Sequence, residues 1–409
     1  MIRINDQLIT RADVLACIRP MMKGFDGCLV AVGSNDPMVY LGAVLHAMST
    51  DGSVLLLPSD TPPQTALMQA QHAGAHLLLT GGTPEIVPLK SDRARGEASL
   101  YQFTSGTTGT PKLIRRTWEG VQEEIVHYNA ALGASPGETP IVLVPLSHSF
   151  GLITGVLAAI ERGTDPVIIT GQNPKLAIKV IKSIPQNIVY AVPFMLQLLL
   201  TLSGEKLAFQ RVVASGAPLT QGLLESLKRN SVQVLQQYGS TETGALSLSF
   251  NPSATTDVGS PLKHVYLSVS KTGEDPGEVA ALIGGQWYRT HDCGYWDEAN
   301  HLHILGRADE LINVSGYKVI PSEVEEVILS CPGIKEVVVY RSRHPVWGDA
   351  VKAMIVAEET VMTPETVKSW CVDKLAPYKI PRHIEFAAEI PRNERGKISR
   401  TLLENKERV

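Results

Sequence analysis

Continuous apolar, β-branched runs alternate with helically spaced segments along the first 240 residues. Residues 28–34 (CLVAVGS) read as a strand, residues 37–48 carry apolar positions at helical spacing, and residues 53–57 are apolar again until Pro58 closes the run. The alternation returns at 141–146 (IVLVPL), 166–170 (PVIIT), 187–192 (NIVYAV), 211–216 (RVVASG) and 232–239 (VQVLQQYG). Apolar strands of this kind, separated by helices, predict an α/β fold whose mainly parallel sheets are covered on both faces. After Gly244 the pattern changes to short strands with turn signals, which predicts a distorted, barrel-like β segment ending at Gly306. From Arg307 the expected order is strand, helix (322–330), strand (336–340), strand (351–357), helix (364–374), strand (384–386) and a final helix. That order predicts a separate α+β domain of about a hundred residues, a size able to fold independently. The natural boundary lies at 306–310, dividing the chain into a large N-terminal domain, 1–306, and a smaller C-terminal domain, 307–409.

Composition narrows the possibilities. The chain has 409 residues, too many for one ordinary core, and its 44% hydrophobic and 19% charged content excludes disorder as the main theme. With 37 basic against 41 acidic side chains there is no electrostatic footprint for a phosphate backbone, so nucleic acid is not an expected partner. The five cysteines contain no C-x-x-C pair, which argues against a zinc ribbon or a disulfide framework and fits a reducing, cytoplasmic location. Residues 1–7 lack the apolar core of a signal peptide. The most apolar stretch, 188–200, is too short for a membrane span and is interrupted by Pro193 and Gln197.

The segment TSGTTGTPK, residues 104–112, follows the short apolar run 100–103. Its glycines permit unusual backbone angles, its hydroxyls and N–H groups can wrap an anion, and Lys112 adds a positive charge, so it reads as a phosphate loop. It is not a Walker A loop, since no Gly-Lys-Ser/Thr ends it. A solvated Ser/Thr/Gly turn is the plainer alternative.

Further blocks follow in order: VPLSHSFG (144–151), ASGAP (214–218), YGSTETG (238–244), YRTHD (288–292), GRADE (306–310), SGYKV (315–319) and PRNERGKI (391–398). Together with the phosphate loop they resemble the adenylate-forming enzymes, the family of acyl- and aryl-CoA synthetases, nonribosomal-peptide adenylation domains and firefly luciferase. The resemblance spans roughly residues 28–402 and implies a mobile C-terminal lid with its hinge at Asp309. It implies an ATP- and Mg²⁺-dependent ligase that joins a small carboxylic acid, through an acyl-AMP, to the thiol of coenzyme A or of a carrier-protein phosphopantetheine.

Residue by residue, the resemblance assigns the β- and γ-phosphates to Thr104, Ser105, Gly106, Thr107, Thr108, Gly109 and Lys112. It assigns the α-phosphate to Thr241, Mg²⁺ to Glu242, the ribose hydroxyls to Asp292, and a ribose or phosphate contact to Arg307. Ser215, Gly216, Ala217, Pro218, Tyr238 and Gly239 resemble the adenine pocket. Lys397 would neutralise charge between the carboxylate and the α-phosphate, Gly316 would border the pantetheine tunnel, and Lys318 would meet a nucleotide phosphate. His148 falls where acyl- and aryl-CoA ligases carry an aromatic or histidine gate to the acid. By residue type alone, Glu242 equally suits a helix-entry cap, Asp309 a turn cap, Lys318 an exposed strand position, and His148 a structural role. Residues 147–152 hold no aspartate to pair with an α-ammonium, which disfavours an α-amino acid, and Phe194, Met195, Ala214, Gly239 and Leu246 are candidate pocket lining or ordinary core.

The family pattern is departed from in three places. The phosphate loop begins early, at residue 104; a contraction follows Gly277; and His291 stands where a glycine commonly precedes the ribose aspartate. A second class therefore stays open, a binding or accessory protein on a ligase scaffold in a carrier-protein pathway. Acid-dependent pyrophosphate release separates the two.

Overall fold

Leu29–Ser34 is buried at every position, as is Asn187–Ala191, because each lies inside a sheet with neighbours on both sides and helices on its faces. The structure, a computed structural model, describes residues 1–81, 85–91, 97–104, 111–135, 137–171, 173–204, 206–270, 276–344, 348–358, 362–391, 400, 403 and 404. The chain divides into two compact units, residues 1–267 with 281–288, and residues 268–280 with 289–409.

The larger unit contains two sheets. In one, Leu77–Gly81, Leu29–Ser34, Ser53–Leu56 and Ser99–Thr104 run parallel in that order, with antiparallel Glu85–Pro88 and Lys112–Thr117 at its edges. In the other, Ser231–Ser240, Phe209–Ala214, Asn187–Ala191, Thr139–Val142, Val167–Ile168 and Ile2–Ile4 are parallel neighbours. Gly244–Phe250 and then Asp257–Pro261 continue it antiparallel on one side, and Gln7–Ile9 on the other. The α/β expectation of mainly parallel sheets holds. Gly244–Phe250 pairs antiparallel with its neighbours on both sides, residues 292–296 pair antiparallel with 302–307, and no closed barrel is traced among the described residues.

Helix starts follow local chemistry. Pro37, Pro63, Pro174 and Pro193 each occupy the first turn, where a missing N–H costs nothing, and Asp36, Asn173, Thr117 and Thr220 accept a first-turn N–H through their side chains. The strand expected over 141–146 stops at Val142. Leu143 N–H still reaches the Tyr190 carbonyl at 3.0 Å, but Pro145 has no N–H to extend the ladder. Phe150–Leu157 then winds as a π-helix, a wide turn often found beside functional sites.

The smaller unit contains the antiparallel pair of residues 292–296 and 302–307, and a sheet ordered Tyr317–Val319, Ile312–Val314, Gly348–Ala357 and Ile334–His344, with His383–Phe386 parallel to Gly348–Ala357. Helices Pro321–Leu329 and Pro364–Val372 bury Val324, Ile328, Val367 and Cys371 against Val339 and Ile355 of the sheet. The expected final helix falls mostly outside the described residues. All five cysteines are unpaired, and no helix among the described residues is long and apolar enough to cross a membrane.

Leu196, Leu199 and Leu200 of helix Pro193–Ser203 are fully buried in the core under the second sheet. Leu199→Ala is expected to cost about 2–5 kcal/mol, read as a lower urea midpoint for the larger unit with an unchanged slope.

Candidate active site

Four of the parallel strands in the larger unit end beside one another, and each is followed by a segment singled out in the sequence. Thr139–Val142 leads to His148, Asn187–Ala191 to Phe194, Phe209–Ala214 to Ser215–Pro218, and Ser231–Ser240 to Thr241 and Glu242. The carboxyl edge of a parallel sheet is where ligands bind in open α/β folds, because the loops there are free of the sheet while their roots are fixed by it.

Ser215 is buried and its hydroxyl donates to the Gln237 carbonyl at 2.9 Å, so the ASGAP segment is tied to the adjacent strand. Gly216, Ala217 and Pro218 are exposed beyond it, with Gly216 at φ +85°. Strand Ser231–Ser240 pairs Gly239 with Ala245 and Ser240 with Gly244, and its register shifts between Tyr238 and Gly239. Such a bulge re-aims the residues beyond it. Thr241 and Glu242, both half-buried, form the tip of the turn. The Ser240 and Thr243 hydroxyls lie 3.0 Å apart and brace that tip from below. Glu242 sits between two strands, which removes the helix-capping alternative.

Thr104 pairs in register with Lys112 across two adjacent antiparallel strands of the first sheet. Ser105 to Gly109 lie outside the described residues; Thr104 is half-buried and Lys112 exposed. Gln102, two residues before Thr104 and buried, donates through Nε2 to the Ser147 carbonyl at 2.7 Å and accepts from the Ser149 hydroxyl at 2.7 Å. It thus grips the residues on both sides of His148, which is itself exposed. Of the candidate lining, Met195 and Ala214 belong to the hydrophobic core and Leu246 is fully buried, whereas Phe194 is 72% exposed at its helix start.

A second buried feature escaped the sequence reading. Helix Trp118–Leu132 buries Val121, Glu124, Ile125, Tyr128 and Leu132 on one stripe, and the charge within that stripe is a signal that periodicity alone passes over. Glu124 is paired with Arg116 at 2.5 Å and accepts the Ala245 N–H at 2.8 Å, directly after the Thr241–Glu242 turn.

In the smaller unit, Asp292 and Arg307 face each other in register across an antiparallel pair, 3.6 Å apart. The Arg307 guanidinium also donates to the Thr290 carbonyl at 3.1 Å and lies 3.4 Å from Asp309, so these three site residues form one group. His291 adopts φ +60°, the left-handed conformation that glycine takes without strain, and its Nδ1 lies 3.6 Å from Glu278. Two hydrogen bonds from Arg289, at 3.0 and 2.5 Å, hold the Glu278 carboxyl below the usual carboxylate range.

Gly316 lies in a two-residue turn between Ile312–Val314 and Tyr317–Val319, with Ser315 and Gly316 at φ +51° and +93°. A Cβ there would meet nothing within 4 Å, so backbone angle rather than close approach calls for glycine. Lys318 is exposed on the following strand, and Tyr317 stacks on Tyr378 with ring centres 4.7 Å apart. Lys397 lies outside the described residues. Arg400, three positions later, donates to Glu310 at 2.6 Å and to Glu325 at 2.7 and 2.9 Å. Burial raises the Glu310 carboxyl above its ordinary value, with the Arg400 charge pulling the other way.

Among the described residues no three His, Cys, Asp or Glu side chains converge as a metal site. A single carboxylate beside a hydroxyl, as at Glu242 and Thr241, suits Mg²⁺, which keeps several waters and takes other oxygens from substrate phosphates.

Comparison with known proteins agrees with these blocks. Residues 40–284 match the AMP-binding enzyme family and residues 323–397 the AMP-binding enzyme C-terminal domain. The chain is 41% identical to a 3,4-dihydroxybenzoate–[aryl-carrier protein] ligase of Bacillus anthracis, over 90% of this chain and 89% of that relative. It is 28% identical to a 2-succinylbenzoate–CoA ligase of Listeria monocytogenes over 93% and 89%. The solved o-succinylbenzoate CoA synthetase of Bacillus subtilis with its acyl-adenylate intermediate shares the fold at a TM-score of 0.85 and 22% identity, covering 98% of this chain and 94% of that one. The ordered blocks, the carboxyl-edge site and these matches together make the chain a member of the AMP-binding, adenylate-forming enzyme family, an acid:thiol ligase.

Proposed function

We propose that this ligase activates an aryl carboxylic acid of the hydroxybenzoate class and delivers it to the phosphopantetheine thiol of a carrier protein. The supporting observation is the 41% identity, sustained over nine-tenths of both chains, to a ligase of that substrate and acceptor. A coenzyme A acceptor is the second reading, favoured by the likeness to 2-succinylbenzoate–CoA ligases. Both acceptors present the same arm and the same thiol. The near balance of 37 basic and 41 acidic side chains supports no role with nucleic acid, and unpaired cysteines support a cytoplasmic location.

The chemistry runs in two balanced steps. A carboxylate oxygen attacks the α-phosphorus of ATP and pyrophosphate leaves with the electrons of the broken P–O bond. The thiol sulfur then bonds to the acyl carbon, AMP leaves with its oxygen, and the thiol proton is released. The first step brings together two anions, so it depends on positioned positive charge and hydrogen-bond donors.

In this reading residues 104–112 hold the terminal phosphates, and Thr241 orients the α-phosphate. Glu242 would hold Mg²⁺, whose bound form supplies charge neutralisation to the phosphates. Asp292 accepts from the ribose hydroxyls while Arg307, 3.6 Å away, fixes its carboxylate. Ser215–Pro218, Tyr238 and Gly239 border the adenine, and His148, gripped through Gln102, borders the acid. Lys397 supplies the cation for adenylation. Asp309 serves as the hinge, and Gly316 and Lys318 take part in thioester formation.

Four measurements test this. Pyrophosphate release is expected with 3,4-dihydroxybenzoate and related hydroxybenzoates and not with fatty acids, and a thioester is expected on an aryl-carrier protein in preference to coenzyme A; release without acid dependence would refute the ligase reading. Lys397→Ala should nearly abolish adenylate formation yet keep transfer from a supplied acyl adenylate, and equal loss of both half-reactions contradicts its role. Asp292→Asn should raise the KM for ATP by roughly 10–100-fold, the range for losing hydrogen bonds to a charged acceptor, with a smaller change in kcat.

A further inference from the structure

Glu124 is 1% exposed and sits in an otherwise apolar helix stripe, an expensive place for a carboxylate unless both oxygens are engaged. Both are. Oε2 binds Arg116 at 2.5 Å, and Oε1 accepts the Ala245 N–H at 2.8 Å.

Two further details show where this pair acts. Gly244, at φ +73°, lies directly against it: a Cβ there would come within 2.2 Å of the Glu124 carboxylate and 2.7 Å of Arg116 Nη1. The turn bearing Thr241 and Glu242 therefore closes onto the ion pair with no side chain between. Arg116 belongs to strand Lys112–Thr117, the first strand after residues 105–110 in the sequence, and its guanidinium is nine-tenths buried. Its Nη1 has no hydrogen-bond partner among the described residues, and its Nη2 is engaged by Glu124. One carboxylate thereby joins the strand after the phosphate loop to the end of the turn that carries the α-phosphate and metal groups. Nearby, the His264 ring stacks on His127 with centres 5.1 Å apart; burial lowers the pKa of His264 while the Glu124 charge pulls it upward.

We propose that Glu124 is a positioning residue that, locked to Arg116, sets the Gly244–Ala245 end of the turn and so the presentation of Glu242 and Thr241 to a magnesium–nucleotide. The inference rests on the reading of Glu242 given above. A buried ion pair that merely filled the core would affect folding alone; a pair that sets the turn affects the metal more than the nucleoside. Acting through the backbone, Glu124 stands to Glu242 as outer partners stand to metal ligands, whose loss weakens metal binding by roughly 10–100-fold.

The test measures the Mg²⁺ concentration for half-maximal acid-dependent pyrophosphate release, metal-free AMP affinity and the thermal midpoint in wild type, Glu124→Gln, Glu124→Asp and Glu242→Gln. Glu124→Gln keeps an oxygen for the Ala245 N–H but leaves Arg116 without its counter-charge; Glu124→Asp keeps the charge but draws it back by one methylene. The expected result is a rise in Mg²⁺ requirement of about tenfold in either variant, with AMP affinity unchanged within about twofold. If the glutamine variant does not fold, the aspartate variant decides alone. An unchanged Mg²⁺ requirement in the folded variants, or an equal loss of AMP affinity, overturns the proposal. Glu242→Gln separates the two layers: if it leaves the Mg²⁺ requirement unchanged, the role given to Glu242 fails, whereas a raised requirement there with none at Glu124 removes only the present inference.

Discussion

Two anions have to be held within bonding distance in this reaction, and water is a poor host for that encounter. The larger unit offers parallel strands whose carboxyl ends lead into the segments proposed for that task. Strands such as Asn187–Ala191 are buried along their whole length, so a slip in register would misfit side chains close-packed on both faces. What varies is confined to the loops, and even these are cross-tied: Ser215 to Gln237, Gln102 to Ser147 and Ser149, Ala245 to Glu124. Polar side chains that would be costly if unpaired become the fasteners between segments far apart in sequence.

The parallel strands were legible because a buried strand is a short apolar run, which is a local signal; the phosphate loop expected over 104–112 falls mostly outside the described residues. The fasteners were not legible, because a buried glutamine or glutamate is unremarkable until its partner is known, and the partners lie 45 positions away for Gln102 with Ser147 and 121 for Glu124 with Ala245. The strand end at Val142 was misjudged by four residues, since hydrophobicity continues through Leu146 while the hydrogen-bonding capacity of the backbone stops at Pro145. Glu242 could not be separated from a helix cap by residue type; its place between two strands separates it.

His291 shows the reverse relation, a departure in sequence that the backbone does not follow. The residue stands where a glycine was expected and still takes the left-handed angle that glycine favours. Such an angle costs a side-chain-bearing residue roughly 1 kcal/mol or more. Compensation is at hand in Glu278, which lies 3.6 Å from the imidazole and is itself fixed by Arg289. Beside it, the Asp292 N–H donates to the Thr290 hydroxyl at 3.1 Å and the Asp292 carboxylate faces Arg307.

The same economy governs the charges. Around Asp292 the carboxylates and guanidiniums are half-open to water and their mutual attraction is correspondingly weak, which suits the ribose-binding role proposed for Asp292. Beneath the Thr241–Glu242 turn the opposite holds: Glu124 and Arg116 are sealed away, where exchanging partners would leave an uncompensated charge. A residue that binds substrate has to be released from its neighbours at modest cost, whereas a residue that defines geometry has to be unable to leave. The buried pair on the apolar stripe of helix Trp118–Leu132 is thus suited to holding geometry, the role proposed for it.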